Sequence, residues 1–249
     1  MDEILDHRRH LDIKSAYNVR DLGGYRTRDG GCTRWRRFLR ADSLHRLTPA
    51  DQAALVDYGV GTMIDLRWPA ETQAHTNVFA GSDKLEFHHL SMLGDGPSGG
   101  DPAPKNADTA QIMAHGYCGC LDKYHIDIGR ILQTLAAAKD HVALYHCASG
   151  KDRTGLVSAM LLDLAGVPRE TIAADYALTA RYMVTAHLAA ANADSIRTWE
   201  DYQNAHCPPD TMPLVLDHLG RTYGGVSGYM QAVGLTPEQI AQLRDSFLE

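Results

Sequence analysis

Short runs of residues with strand-like length and composition recur along the chain. They lie at 35–39, 60–66, 85–90 and 142–146, and the second and fourth are rich in β-branched and other apolar residues. Segments with helical spacing or loop composition separate them. This alternation predicts an α/β fold, with a central parallel or mixed sheet and helices on both faces.

Capping residues predict where several helices begin and end. Thr48 followed by Pro49 is typical of a helix start, and Gly59 is typical of the end of that helix. Apolar residues recur at helical spacing over 156–164, directly after the last predicted strand. The remaining residues are mainly helical in pattern, so we predict a helical C-terminal portion.

A long irregular segment precedes the last predicted strand. Residues 94–108 are rich in glycine, proline and aspartate and lack periodicity, which predicts a loop. We expect a helix from about 109 to 138, broken near Gly116 and Gly119. Residues 91–130 are our candidate for a lid or specificity segment, within a single domain that covers all 249 residues.

The composition of the chain argues against some classes of binding partner. The chain is 44% hydrophobic and 22% charged, with a formal net charge of −7, which argues against binding to nucleic acid or to an anionic membrane surface. No segment approaches the roughly 18 continuous apolar residues of a membrane span, and the N-terminus lacks the apolar core of a signal peptide. We expect a cytoplasmic protein, or one exported without a cleaved signal peptide; the oligomeric state stays open. Five cysteines do not form a recognisable disulfide framework.

The segment HCASGKDRTG (146–155) joins a predicted strand to a predicted helix. Five residues separate Cys147 from Arg153, and a loop of that length can turn its amides inward around a tetrahedral oxyanion at the helix N-terminus. The planar guanidinium of Arg153 can bind two oxygens of the same anion. The other residues predicted to bind substrate here are Ala148, Ser149, Gly150, Lys151 and Thr154.

The same positive surroundings favour the thiolate form of Cys147. We therefore predict that Cys147 is a nucleophile directed at the centre of the bound anion. The hydroxyls of Ser149 and Thr154 are candidates to hydrogen-bond the sulfur when it leaves. An inert buried cysteine would not require a histidine, two glycines, a lysine and Arg153 at a strand-to-helix junction.

These residues resemble a known enzyme family. HCASGKDRTG is similar to the HCxxGxxR signature of cysteine-dependent tyrosine and dual-specificity phosphatases. With NVRDLGGY (18–25), it resembles the bacterial group typified by the mycobacterial secreted phosphatase B. Further similar stretches, at 39–47, 63–67, 174–179 and 223–230, extend the resemblance over nearly the whole chain.

The resemblance implies a tyrosine phosphatase-like fold and a metal-independent reaction with no cofactor. It implies that Cys147 forms a phosphocysteine intermediate and that Arg153 holds the phosphate. The implied substrates are phosphotyrosine and, in some members, phosphoserine, phosphothreonine and phosphoinositides, so the expected partner is a phosphorylated protein or a phosphoinositide. Lys151 adds charge that suits a polyanionic head group.

The general acid is left open between two aspartates. Asp65 lies at the carboxyl end of a predicted central strand, where ligand crevices form in α/β sheets, and a role as the ion-pair partner of an arginine is an equal alternative. Asp152 belongs to the anion-binding loop, where its carboxyl faces substrate or caps amides. Many tyrosine phosphatases use a Trp-Pro-Asp loop; residues 68–70 are Trp-Pro-Ala, which we interpret as a chance match.

Three further residues are predicted to support the site without touching the phosphate. Arg20 lies near the loop by the resemblance, Arg40 presents positive charge near the site, and His146 orients the loop through hydrogen bonds. We predict no metal site, because the candidate ligands lack the paired spacing of structural zinc sites. Those candidates are His115, Cys118, Cys120 and His125.

Three rival functions remain. A phosphoinositide-specific lipid phosphatase is kept open by Lys151. A catalytically silent phosphate-binding module would keep the anion-binding loop, but would not need Cys147 and Arg153 intact. A sulfurtransferase also uses a loop cysteine and inward amides, but its loop is typically shorter.

Overall fold

A computed structural model describes residues 4–97, 101–138, 141–190 and 195–249. Its strands are β1 (Arg20–Asp21), β2 (Phe38–Ala41), β3 (Val60–Asp65), β4 (Glu86–His89) and β5 (Val142–His146). They form one sheet in the order β1-β2-β5-β3-β4, in which β1 is antiparallel to β2 and the other neighbouring pairs are parallel. The sheet is therefore mixed, and the α/β prediction is confirmed.

The described part of the chain contains ten helices. They are α1 (Pro49–Tyr58), α2 (Pro69–Ala74), α3 (Thr109–Lys123), α4 (His125–Ala137), α5 (Asp152–Leu164), α6 (Arg169–Ala189), α7 (Trp199–His206), α8 (Thr211–Tyr223), α9 (Val226–Ala232) and α10 (Pro237–Ser246). Five of these helices, α6 to α10, follow α5 in the chain, which agrees with the predicted helical C-terminal portion.

The two faces of the sheet bury separate clusters of apolar side chains. Successive residues of β5 alternate between them: Ala143 and Tyr145 join the larger cluster, whereas Val142 and Leu144 join the smaller one. Helices α4, α5, α6 and α8 to α10 contribute to the larger cluster, and Leu55 of α1 packs in the smaller cluster. A strand buried on both faces is continuously apolar, which explains why β5 was predictable with its observed bounds.

The predicted strand at 35–39 is wrong in its bounds. Arg36 has a φ of 58°, which a strand does not allow, and its amide donates a 2.8 Å hydrogen bond to Asp21 Oδ2. The chain therefore turns there, and β2 begins only at Phe38, where pairing with β5 starts. The two-residue β1 was not predicted, because so short a strand has no periodicity.

The predicted helix break near Gly116 and Gly119 is also wrong. Helix α3 continues through both glycines and ends at Lys123, and α4 begins at His125. A glycine costs a helix roughly 1 kcal/mol relative to alanine, and α3 packs against α8, a tertiary contact that can override such a local preference. The predicted loop contains no helix or strand over 94–97 and 101–108, while residues 98–100 lie outside the described residues.

Other predictions concern the cysteines and the ends of α1. All five cysteines are free thiols, as their sequence pattern indicated. Thr48 caps α1 by accepting from the Asp51 amide, and Gly59 ends it in the left-handed region, as predicted. Among the described helices, none combines the length and the apolar character needed to cross a membrane.

Candidate active site

The candidate site is built on the loop that follows the central strand β5. Cys147 is the first residue after β5 and is 1% exposed. The loop then turns at Gly150, whose φ is +65°. A Cβ on Gly150 would lie 2.6 Å from the carbonyl carbon and oxygen of Ala41, so only glycine fits this close approach to β2.

The carbonyl oxygens of this loop are bound from outside. Asn18 Nδ2 donates to the carbonyls of Ser149 (3.1 Å) and Gly150 (3.2 Å), and Arg40 Nη2 donates to the latter at 2.7 Å. The carbonyl of Ala148 accepts from the Ser43 amide at 2.9 Å. Because C=O and N–H point in opposite directions across a planar trans peptide, the amides of the loop face inward. Such a ring of amides is an anion-binding concavity.

A buried ion cluster holds the residues that bind the loop. Asp175 of α6 accepts from Arg40 Nη1 at 2.5 Å and from Arg20 Nη2 at 3.4 Å, and all three side chains are at most 1% exposed. Arg20 also donates to Asn18 Oδ1. Although burial alone raises the pKa of Asp175, the charges of Arg20 and Arg40 lower it to about 2. The cluster thus fixes Asn18 and Arg40 behind the loop.

His146 and Asp65 lie side by side beneath the loop, and neither is exposed. His146 Nδ1 is 3.1 Å from the Cys147 carbonyl, and its Nε2 is 2.8 Å from Asn77 Nδ2 and 3.4 Å from Asp65 Oδ2. Asp65 also accepts from Arg67 Nε (2.9 Å) and Nη2 (2.6 Å). Although burial raises the pKa of Asp65, hydrogen bonds from Arg67 and His146 hold it well below its usual range.

Arg153 is held by two residues at the start of α2. Glu71 accepts from Arg153 Nη1 at 2.6 Å and Nη2 at 2.9 Å, and the Trp68 ring lies 4.7 Å from the guanidinium carbon. Burial lowers the pKa of Arg153, but its hydrogen bonds to Glu71 and the charge of Cys147 raise it above the usual range. This end-on pairing leaves the edge formed by Nε and Nη2 for two oxygens of an anion.

Asp152 stands at the first position of α5, on the exposed side of the loop. Its Oδ1 accepts a hydrogen bond from the Tyr117 hydroxyl of α3 and lies 3.3 Å from Lys151 Nζ. The Tyr117 hydroxyl is also 2.9 Å from that of Tyr176. The Asp152 side chain is 39% exposed, in contrast to the fully buried Asp65.

A cavity of about 750 Å³ opens above Asp152 and Arg153. Helix α3 forms one wall, and aromatic rings of Trp68, Tyr117 and Tyr124 line it. The candidate lid segment therefore borders the cavity. The aspartate, histidine, lysine and arginine side chains around the cavity are Asp101, His115, Asp122, Lys123, Asp152, Arg153 and His218.

Comparison with known proteins identifies the family. A model of the tyrosine phosphatase family matches residues 11–249. The chain belongs to the tyrosine phosphatase family. This tyrosine phosphatase is 31% identical over 215 residues to a tyrosine-protein phosphatase of Nostoc commune, which covers 83% of this chain and 72% of that relative.

Two more distant relatives agree. One is a putative tyrosine-protein phosphatase of Cupriavidus necator, 28% identical over 176 residues, which cover 68% of this chain and 62% of the relative. The other is the triple specificity protein phosphatase PtpB of Mycobacterium tuberculosis, 25% identical over 282 aligned residues, which cover 95% of this chain and 98% of the relative. The resemblance seen in the sequence is confirmed, and the chain is a protein-tyrosine phosphatase.

Several residues of this tyrosine phosphatase site were not found in the sequence. Trp68 begins the Trp-Pro-Ala stretch that we interpreted as a chance match, and Glu71 directly follows that stretch; both residues contact Arg153. The available signal was the position of Glu71 three residues after Trp68, just past a central strand. Tyr117 and Asp175 contact the site from α3 and α6, and no local pattern connects them to the loop.

Proposed function

We propose that this protein-tyrosine phosphatase hydrolyses phosphotyrosine through a phosphocysteine intermediate on Cys147. The supporting observation is the loop at 147–153, whose carbonyls are bound from outside and whose ends carry Cys147 and Arg153. The inward amides bind the oxygens of the phosphoryl group, and the free edge of Arg153 binds two of them. These groups are in place before substrate binds, and they stabilise the charge that develops in the transition state.

The reaction proceeds in two displacements at phosphorus. First, the thiolate of Cys147 forms the S–P bond while the bond to the tyrosine oxygen breaks, and Asp152 gives that oxygen its proton. Next, water attacks phosphorus, the S–P bond breaks, and Asp152 takes a proton from the water. Thr154 Oγ1 is buried and has no hydrogen-bond partner among the described residues, so it is available to stabilise the departing sulfur.

Asp152 fits the role of general acid and Asp65 does not. A general acid must be protonated and must reach the leaving oxygen. The carboxyl of Asp65 is fully buried, paired with Arg67, and has a pKa held far below neutrality. Asp152 borders the cavity above Arg153, so we assign the proton transfer to Asp152 and give Asp65 the role of holding Arg67 and His146.

The shape of the cavity favours an aromatic phosphate ester. Trp68, Tyr117 and Tyr124 offer ring faces and edges against which a phenyl ring packs. A phosphoserine side chain is shorter and would leave these rings without a partner. We therefore propose phosphotyrosine as the preferred substrate, with phosphoserine and phosphothreonine hydrolysed more slowly.

Hydrolysis of phosphoinositides is a second candidate activity. Lys151 is the residue that favours it, but its Nζ lies 3.3 Å from Asp152 Oδ1, which offsets its charge. Asp101 and Asp122 also border the cavity, so a polyanionic head group would meet carboxylates there. This balance of charges ranks phosphoinositides below phosphotyrosine.

The test compares substrates and leaving groups in EDTA. We would measure kcat/KM for peptides carrying phosphotyrosine or phosphoserine, for a phosphoinositide panel, and for aryl phosphates of graded leaving-group acidity. Cys147→Ser is expected to abolish turnover throughout. Asp152→Asn is expected to slow phosphotyrosine hydrolysis by about 10²–10⁴ and to slow esters of acidic phenols much less, since these need no proton.

Asp65→Asn is the comparison variant for the acid. We expect it to lower activity by a similar factor for every leaving group, because it disturbs the loop rather than proton transfer. An effect of Asp65→Asn that grows with leaving-group basicity, together with none for Asp152→Asn, would reverse the assignment. Retained turnover in Cys147→Ser would overturn the mechanism.

A further inference from the structure

The two carboxylate oxygens of Asp152 differ in their contacts. The Tyr117 hydroxyl and the Lys151 ammonium both contact Oδ1, and the described residues place no hydrogen-bond donor on Oδ2. A carboxyl group held at one oxygen cannot rotate freely. Oδ2 is therefore the oxygen available to a leaving group in the cavity that Asp152 lines.

The hydroxyl of Tyr117 is itself oriented by a second tyrosine. Tyr176 of α6 lies with its oxygen 2.9 Å away, and the two rings meet edge to face at 87°. Tyr117 has one proton, which it donates to Asp152, so its oxygen accepts from Tyr176. The three groups form a directed chain from α6 through α3 to the start of α5.

Both tyrosines remain protonated donors over the working range of the enzyme. Burial and the charge of Asp152 raise the pKa of Tyr117 well above 10, and burial likewise raises the pKa of Tyr176. The direction of the chain is thus constant with pH.

We propose that Tyr117 is a positioning residue for the general acid, holding Asp152 Oδ1 so that Oδ2 carries the catalytic proton. This inference rests on the proposed function. Tyr117 belongs to α3, which forms one wall of the cavity. The hydrogen bond from Tyr117 to Asp152 therefore makes proton transfer depend on the position of that helix. The candidate lid would then contribute to catalysis as well as to substrate selection.

The test uses Tyr117→Phe, which removes the hydroxyl and keeps the ring. A lost hydrogen bond of this kind corresponds to roughly a tenfold loss of kcat with phosphotyrosine. The loss should shrink with esters of acidic phenols.

Other groups around Asp152 are unchanged in this variant. Those that interact with its charge are Lys151, Arg153, Tyr176, Tyr202 and Cys207. The matched control is Tyr58→Phe, which removes a 2.7 Å hydrogen bond from a tyrosine hydroxyl to the Asp21 carboxylate, remote from the cavity. It should lower stability without changing the leaving-group dependence.

A double variant separates this inference from the proposed function. If the loss of activity in Asp152→Asn does not depend on the leaving group, the assignment of the acid fails. If that loss does depend on the leaving group, Tyr117→Phe should cause little further loss of activity in the Asp152→Asn background. An equal loss for all leaving groups in Tyr117→Phe, together with full additivity in the double variant, would overturn the role of Tyr117 alone.

Discussion

The buried cluster behind the phosphate-binding loop makes a quantitative prediction about stability. Asp175→Asn removes the one carboxylate that Arg20 and Arg40 share, and both arginines are fully buried. Removing one partner from a buried ion pair costs about 3–5 kcal/mol, because an uncompensated charge remains. For a chain of this size, that loss corresponds to a fall in Tm of roughly 6–20 °C.

The contribution of the same cluster to the free energy of unfolding should also depend on pH. The pKa of Asp175 is lowered to about 2 in the folded state, below its unfolded value of about 3.9. The carboxylate therefore contributes stability above about pH 4, and this contribution, on the order of 2–3 kcal/mol, is lost as pH falls from about 4 through 2. Asp175→Asn should remove this part of the acid dependence.

The assay is thermal and urea unfolding at pH 7, with activity measured well below the transition. The control is Asp217→Asn, which breaks the half-exposed ion pair with Arg169 and should cost at most about 1 kcal/mol. Asp175→Asn should also lower kcat/KM, because Arg40 holds the Gly150 carbonyl. Equal, small losses of stability in the two variants would refute the reasoning.

Two other variants test how the loop and its arginine are held. Glu71→Gln should weaken inhibition by phosphate or tungstate about tenfold, because the charged pair orients Arg153; tighter inhibition would show instead that Glu71 competes with the anion. Gly150→Ala should lower kcat/KM at least about 100-fold through its 2.6 Å collision with the Ala41 carbonyl, since a misplacement near 1 Å has such effects. Gly224→Ala has a similar positive φ in open space and should cost about 1 kcal/mol with full activity retained; equal losses of activity would contradict the reasoning.

The parts of the site that were predictable are contiguous in sequence. Cys147 and Gly150 lie in the loop after β5 and Arg153 lies in the first turn of α5, so local patterns were enough to bring them together. Strand β5 was predicted with its observed bounds because it is buried on both faces. The strand near 35–39 was misplaced because the chain turns at Arg36. The amide of Arg36 donates a hydrogen bond to Asp21 of β1, a residue distant in the sequence.

The parts that were missed depend on long-range contacts. Glu71 meets Arg153 across 82 positions of the chain, and Asp175 meets Arg40 across 135. In the sequence, Glu71 looks like an ordinary acidic residue in the first turn of a helix, a role it also has through its hydrogen bond to the Trp68 amide. Only the packing of α2 against the start of α5 reveals the second role.

The most direct test of the account is to trap the covalent intermediate. A phosphotyrosine substrate labelled in its phosphoryl group would be mixed with the enzyme and quenched within one turnover, and the modified residue identified by mass spectrometry. The account predicts a phosphoryl group on Cys147 in the native chain and none in Cys147→Ser, which should also show no turnover. Label on another residue, or turnover by Cys147→Ser, would contradict it.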